Sequence, residues 1–235
     1  MAEKIVGILG GMGPEATVDL FSKILNATPI RTEQDHLRIV IDNNPKIPNR
    51  SQAILSGRTE EVIKRLQETA RNLERAGADF IVMPCNTAHT FFSRIEEAVS
   101  IPVVNMVEET VRSLRETVPS VRKAGVLATT GAIKAGVYAK ALSSRGIQAV
   151  VPDGMDQDAV LDAVMAIKEE EGHEHARDVL RDVAARLVER GVEAIIAGCT
   201  EIPLALNRED ISVPFFNSTE ILAKTAVRMA KEETP

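Results

Sequence analysis

Two residues have the type and spacing to do chemistry together: Cys85 and Cys199, the only cysteines in 235 residues. Each follows an apolar run and opens a polar one, Pro84-Cys85-Asn86-Thr87-Ala88-His89 and Gly198-Cys199-Thr200-Glu201-Ile202-Pro203. A thiol ordinarily titrates near ~8.5, so cysteine can serve as base when ionised and as acid when not. A nearby helix N-terminus favours the thiolate. Two such groups on opposite faces of one carbon could remove a weakly acidic α-hydrogen and return a proton to the other face. That is what racemising an amino acid without a cofactor demands. The residues after each sulfur offer backbone N–H groups and hydroxyls to hold an α-carboxylate and the charge that develops on it. A lone cysteine is more often a small buried hydrophobe. A zinc site with His89 as third ligand is the other alternative, but the chain has no C-x-x-C pair and no H-x-x-x-H spacing.

The elements that must position these residues follow from the pattern. Candidate strands are 5–9, 38–42, 80–83, 103–105, 124–128, 148–151, 194–197 and 215–217, with amphipathic helical stretches at 60–76, 159–168 and 175–190 between them. Apolar strands alternating with helices predict an α/β fold with mainly parallel sheets covered on both faces. The chain also repeats itself. Gly7-Ile8-Leu9 recurs as Gly125-Val126-Leu127, and Arg75-Ala76-Gly77-Ala78-Asp79-Phe80-Ile81-Val82 parallels Glu189-Arg190-Gly191-Val192-Glu193-Ala194-Ile195-Ile196. Ile101-Pro102-Val103-Val104-Asn105 likewise parallels Val213-Pro214-Phe215-Phe216-Asn217. The two cysteines keep the same separation as the second of these blocks. Two similar Rossmann-like halves related by a pseudo-twofold axis are expected, with each cysteine at the strand-end edge where open parallel sheets bind ligands. The expected active site is the cleft between the halves.

Other motifs would sit at the same edges. Gly10-Gly11-Met12-Gly13-Pro14-Glu15-Ala16 follows the first strand and meets the loose dinucleotide pattern. With Asp42 as a ribose-binding acid, Gly11 and Gly13 support a rival nicotinamide-dependent oxidoreductase. The favoured reading is a tight turn that brings backbone close to a small ligand, with Pro14 at the first helical position. Thr129-Thr130-Gly131 at the matching place in the second half suits a small carboxylate better than a pyrophosphate. The polar loop 43–52 includes Arg50, able to grip a carboxylate with two parallel hydrogen bonds, and Gln52, which joins the candidate substrate-binding set. Lys168, on its own pattern, is a lysine closing a helix, favourable to the macrodipole.

Composition narrows the partners. The net charge is −6, and six Phe, one Tyr and no Trp leave neither a basic face nor stacking platforms for nucleic acid. The N-terminal apolar run is short and broken by glycine, so it reads as a strand and not as a signal peptide. No run approaches the ~20 apolar residues that span a bilayer. A cytosolic location with reduced thiols is expected.

These residues resemble the cofactor-independent aspartate/glutamate racemase family, and the match extends over essentially the whole chain. It is carried by Gly10-Gly11-Met12-Gly13-Pro14, Pro48-Asn49-Arg50, Pro84-Cys85-Asn86-Thr87-Ala88-His89, Ala128-Thr129-Thr130-Gly131 and Gly198-Cys199-Thr200-Glu201. Thr200-Glu201 resembles the aspartate branch, and Asn49 stands where the family usually has an acidic residue. The resemblance implies an isomerase acting on an acidic amino acid with no cofactor and no metal, with Cys85 and Cys199 as the acid/base pair. It implies that Met12, Asn86, Thr87, Thr130, Thr200 and Glu201 line the α-carboxylate and ammonium site. Arg50 and Lys168 would then hold the side-chain carboxylate of aspartate. It implies a homodimer, and domains of residues 1–100 with 213–235 and of residues 101–212. Glutamate, broader amino-acid or maleate substrates in the same superfamily remain alternatives, as does a non-catalytic amino-acid-binding protein.

Overall fold

The computed structural model describes residues 3–169 and 172–231. In chain order the elements are β1 (Val6–Gly10), α1 (Pro14–Ala27), β2 (Ile39–Asn43), α2 (Arg50–Ser56), α3 (Glu60–Arg75), β3 (Phe80–Val82), α4 (Phe92–Glu96) and α5 (Met106–Thr117). Then come β4 (Lys123–Leu127), α6 (Thr130–Ala135), α7 (Val137–Ser143), β5 (Gln148–Val150), α8 (Gly154–Lys168) and α9 (His173–Glu189). The chain closes with β6 (Ala194–Ala197), α10 (Ile202–Ala205), β7 (Phe215–Asn217) and α11 (Ser218–Lys231). The strands form two parallel sheets, ordered β2-β1-β3 and β5-β4-β6-β7. The expected α/β class with parallel sheets is therefore observed. Seven of the eight candidate strands form within a residue or two of their expected bounds. The eighth, 103–105, makes a single parallel bridge from Val103 to Ile81. Two backbone hydrogen bonds hold that bridge, Ile81 N–H to Pro102 O and Val104 N–H to Ile81 O, both at 2.8 Å.

The local reasons are ordinary ones. All five residues of β1 are buried, as expected of a strand covered on both faces. In α3, Val62, Leu66, Thr69, Ala70 and Leu73 are buried, the 3–4 spacing of one helical stripe. Fully burying a leucine such as Leu66 stabilises by roughly 1.5–3 kcal/mol. A repeated carboxylate pins each sheet at its start: Asp79 Oδ2 accepts from Ile5 N–H at 2.6 Å, and Glu193 Oε2 accepts from the N–H groups of Arg122 and Lys123 at 2.6 and 3.0 Å.

The chain divides into two compact units, residues 1–106 with 219–235 and residues 107–218. Both follow one plan. In each, a fourth segment pairs beside the cysteine-bearing strand, as the Val103 bridge in the first unit and as β7 in the second. These pairings put the boundaries later than the sequence reading of 100 and 212. Residues 101–106 stay with β3 through Val103, and Phe215–Asn217 stay with β6. The helix after each fourth segment joins the other unit. Leu222, Ala223, Ala226 and Val227 of α11 pack with Val6, Ile8, Leu20 and Phe80. Arg115 of α5 donates to the carbonyls of Pro119, Val121 and Arg145. Among the described residues no helix is long and apolar enough to cross a membrane.

Candidate active site

In the first unit the site grows from three strand ends. Gly11 has φ +91°, a left-handed conformation, and a Cβ there would come within 2.3 Å of the Asn44 backbone. Thr17 locks this turn, its Oγ1 accepting from Gly11 N–H at 2.9 Å and donating to Gly13 O at 3.1 Å. The turn thus lies directly on the loop that follows β2, and Met12 is buried in one apolar cluster with Ile47, Ala53, Cys85 and Ala88. Asn86, Thr87 and His89 are all more than nine-tenths buried beside Cys85. Asp42 Oδ2 accepts from Asn72 Nδ2 at 3.0 Å, so the acid that a dinucleotide reading needs is engaged inside the unit. Asn49, at the position where the family usually has an acidic residue, caps α2: its Oδ1 accepts from Gln52 N–H at 3.0 Å. Arg50 donates through Nη1 to the carbonyls of Ile47 and Pro48 at 3.2 and 3.1 Å, and its buried Nε has no partner. Gln52 is exposed on α2.

His89 is no candidate ligand. Its Nδ1 lies 2.8 Å from Cys85 O, and its Nε2 accepts from Met106 N–H at 3.0 Å. This pattern assigns the neutral Nδ1–H tautomer, with both nitrogens occupied by backbone. Burial drives its pKa down to about 4, against the carbonyls of Cys85 and Val104, which would favour a protonated ring. Among the described residues no group of three or more His, Cys, Asp or Glu side chains is placed to hold a metal.

In the second unit the cysteine is wired to charge. Cys199 Sγ donates to Glu201 Oε2 at 2.9 Å, and Thr200 Oγ1 donates to the same oxygen at 3.1 Å. Lys168 Nζ lies 3.4 Å from Glu201 Oε1. Glu201 is only 5% exposed, so its charge acts through little water. Burial, and after it the Glu201 carboxylate, pushes the Cys199 thiol well above its ordinary range, while the Lys168 ammonium pulls the other way. Cys199 therefore rests as a thiol aimed at a buried carboxylate. Gly198 before it is closely packed: a Cβ there would crowd Tyr138 Cε2 at 3.0 Å and Leu127 O at 3.1 Å. Lys168 ends α8, and Val164 and Ile167 on that helix pack in the apolar cluster that includes Cys199.

The structure adds a residue that the motifs did not reveal. Gln157 Nε2 donates to Ala128 O at 3.1 Å and to Thr130 Oγ1 at 3.3 Å, and its buried Oε1 has no partner among the described residues. A signal existed in the sequence. Gln157 and Lys168 are three helical turns apart and so share a face of α8.

Each unit thus carries a strand-end cysteine that opens a buried polar run beside a parallel sheet. The chain belongs to the Asp/Glu/hydantoin racemase family, whose description matches residues 9–226. It is 31% identical to Picrophilus torridus aspartate racemase, with a TM-score of 0.86 over 99% of this chain and 96% of that one. It is 27% identical to an aspartate racemase homologue from Pyrococcus horikoshii, with a TM-score of 0.79 over 98% and 100%. It is 29% identical to the broad-specificity amino-acid racemase RacX of Bacillus subtilis, over 95% of this chain and 96% of that protein.

Proposed function

We propose that the chain interconverts L- and D-aspartate by a two-base mechanism without a cofactor. One cysteine, as thiolate, takes the α-proton and leaves an enediolate-like charge on the α-carboxylate. The other, as thiol, delivers its proton to the opposite face of the carbon and becomes the thiolate. The reverse direction exchanges their roles. The observation that carries this reading is the state of Cys199, a protonated sulfur held on a buried carboxylate. It is an acid in waiting, and Cys85 occupies the matching strand end to act as base. Asn86, Thr87, Thr130 and the backbone N–H of Thr200, whose hydroxyl proton goes to Glu201, are the donors for the α-carboxylate and its developing charge. The unpartnered Oε1 of Gln157 is an acceptor for the substrate ammonium. Arg50, with its unpartnered Nε, and Lys168 are the cations for a second carboxylate. Likeness to the Picrophilus aspartate racemase over nearly the whole chain supports aspartate.

A second reading, a racemase of broad substrate range, is favoured by the likeness to RacX. It also fits a Lys168 whose ammonium is already balanced by Glu201. Proton NMR of L-aspartate with the protein in D2O, followed by chiral analysis, tests both. Loss of the α-proton signal with formation of D-aspartate supports the first reading, and Cys85→Ala and Cys199→Ala must each abolish it. Faster exchange with a neutral amino acid would transfer the case to the second. No exchange with any amino acid would end both.

A further inference from the structure

Among the buried titratable groups left unused by the proposed chemistry, His89 is the one bound to a reacting residue. It is 7% exposed, stacks on Phe92 at 6.0 Å between ring centroids, and bridges two backbone groups far apart in sequence. One is the carbonyl of Cys85. The other is the N–H of Met106, the last residue of the first segment of its unit. A peptide is planar, and in a trans peptide the N–H points opposite to the C=O. Holding the Cys85 carbonyl therefore fixes the direction of the Asn86 N–H, the first amide after the sulfur.

We infer that His89 is a positioning residue for Cys85: its Nδ1–H, anchored from behind by Met106, sets the peptide that follows the sulfur. The kinetic side of this inference rests on the racemase reading, and the thiol side does not. Two substitutions separate the halves of the bridge. In His89→Asn the side-chain amide nitrogen can take the place of Nδ1 and keep the Cys85 tether, while the acceptor for Met106 is lost. In His89→Gln the amide oxygen can take the place of Nε2 and keep the acceptor for Met106, while the Cys85 tether is lost. Each variant deletes one of two hydrogen bonds, so a histidine serving only as structure predicts equal losses of stability and of activity in the two.

The positioning role predicts matched urea midpoints but unequal function. His89→Asn stays within about threefold of the parent in kcat, and His89→Gln falls by about tenfold or more with KM little changed. Alkylation by iodoacetamide, read at each cysteine by peptide mapping, shows the same split. The rate at Cys85 relative to Cys199 falls in His89→Gln and holds in His89→Asn. Equal effects of the two substitutions on Cys85 labelling would overturn the inference. So would loss of activity or labelling in His89→Asn, which decides the matter even where His89→Gln fails to fold. A labelling split in a protein that exchanges no α-proton would leave His89 in its role and remove the racemase reading instead.

Discussion

The carboxylate of Glu201 stands between a thiol that it raises and an ammonium that offsets it, and this fixes the signs of two predictions. In the proposed two-base mechanism activity is lost at high pH when the cysteine that must be protonated ionises, and in the direction in which Cys199 is the acid that cysteine is Cys199. Removing the negative charge in Glu201→Gln lowers the thiol pKa, so the alkaline limb of kcat/KM moves down by about one to two pH units. Removing the positive charge in Lys168→Met leaves Glu201 uncompensated, so the same limb moves up. The pH profiles of kcat/KM for both variants check this, and a shift of the same sign in both would refute the wiring. If Lys168 also grips the second carboxylate, Lys168→Met raises KM for aspartate as well, without bearing on the position of the limb. Cys199, Thr200 and Glu201 were legible in the sequence because they are consecutive. The contacts of Gln157 and His89 were not, because their partners are backbone atoms and a threonine, of which only Cys85 O is close in sequence; Ala128 O, Thr130 Oγ1 and Met106 N are far along the chain.

At the scale of elements, the turn after β1 is where backbone geometry serves the site. Two glycines separate its contributions. Gly57, after α2, has φ +72° with nothing within 4 Å of an added Cβ, so Gly57→Ala meets only the left-handed backbone penalty, ~1 kcal/mol. Gly11→Ala meets that penalty and a Cβ driven into the Asn44 backbone, for a destabilisation of ~3 kcal/mol or more. It also moves Met12 from the cluster that holds Cys85. Urea unfolding of the two variants at neutral pH measures the difference, and equal losses would mean that the close approach at Asn44 is not a constraint. The strands were readable because burial on both faces gives continuous apolar runs, as in β1 and β6. The segment at Val103 misled for the same reason: Ile101-Pro102-Val103-Val104 has a strand's composition, but it makes a single bridge, to Ile81.

At the scale of the whole molecule, the repeat between Cys85 and Cys199 was visible because each half needs the same strand, turn and carboxylate pin, as Asp79 and Glu193 show. The units of α5 and α11 match the sequence reading; the exact boundaries do not, because whether 101–106 and 213–218 stay with the preceding strand depends on the pairings at Val103 and Phe215–Asn217. The response of stability to acid is also a property of the whole, and it divides into two windows. His89 has a folded-state pKa of about 4, below the ordinary 6.5. Between those values the unfolded chain binds a proton that the folded chain refuses, so stability is full above pH 6.5 and falls as the pH drops toward 4. The whole step is about 3 kcal/mol. Asp35, Glu74, Glu193 and Asp210 are lowered from ordinary values of 3.8 or 4.5, chiefly by backbone or side-chain hydrogen bonds. Their stabilisation is present above those values and is lost as the pH falls through them to the lower folded ones, so they overlap the window of His89 only at its acid end and act mainly below it. Urea unfolding free energies from pH 7.5 to pH 3.5 at fixed ionic strength should then show a slope between pH 6.5 and 4 in the parent. That slope should vanish in His89→Asn, which has no imidazole to protonate, while the steeper loss below pH 4 stays in both. A parent protein with no slope in the upper window would mean that His89 is charged or exposed in solution, and the neutral bridge from Cys85 to Met106 would have to be abandoned.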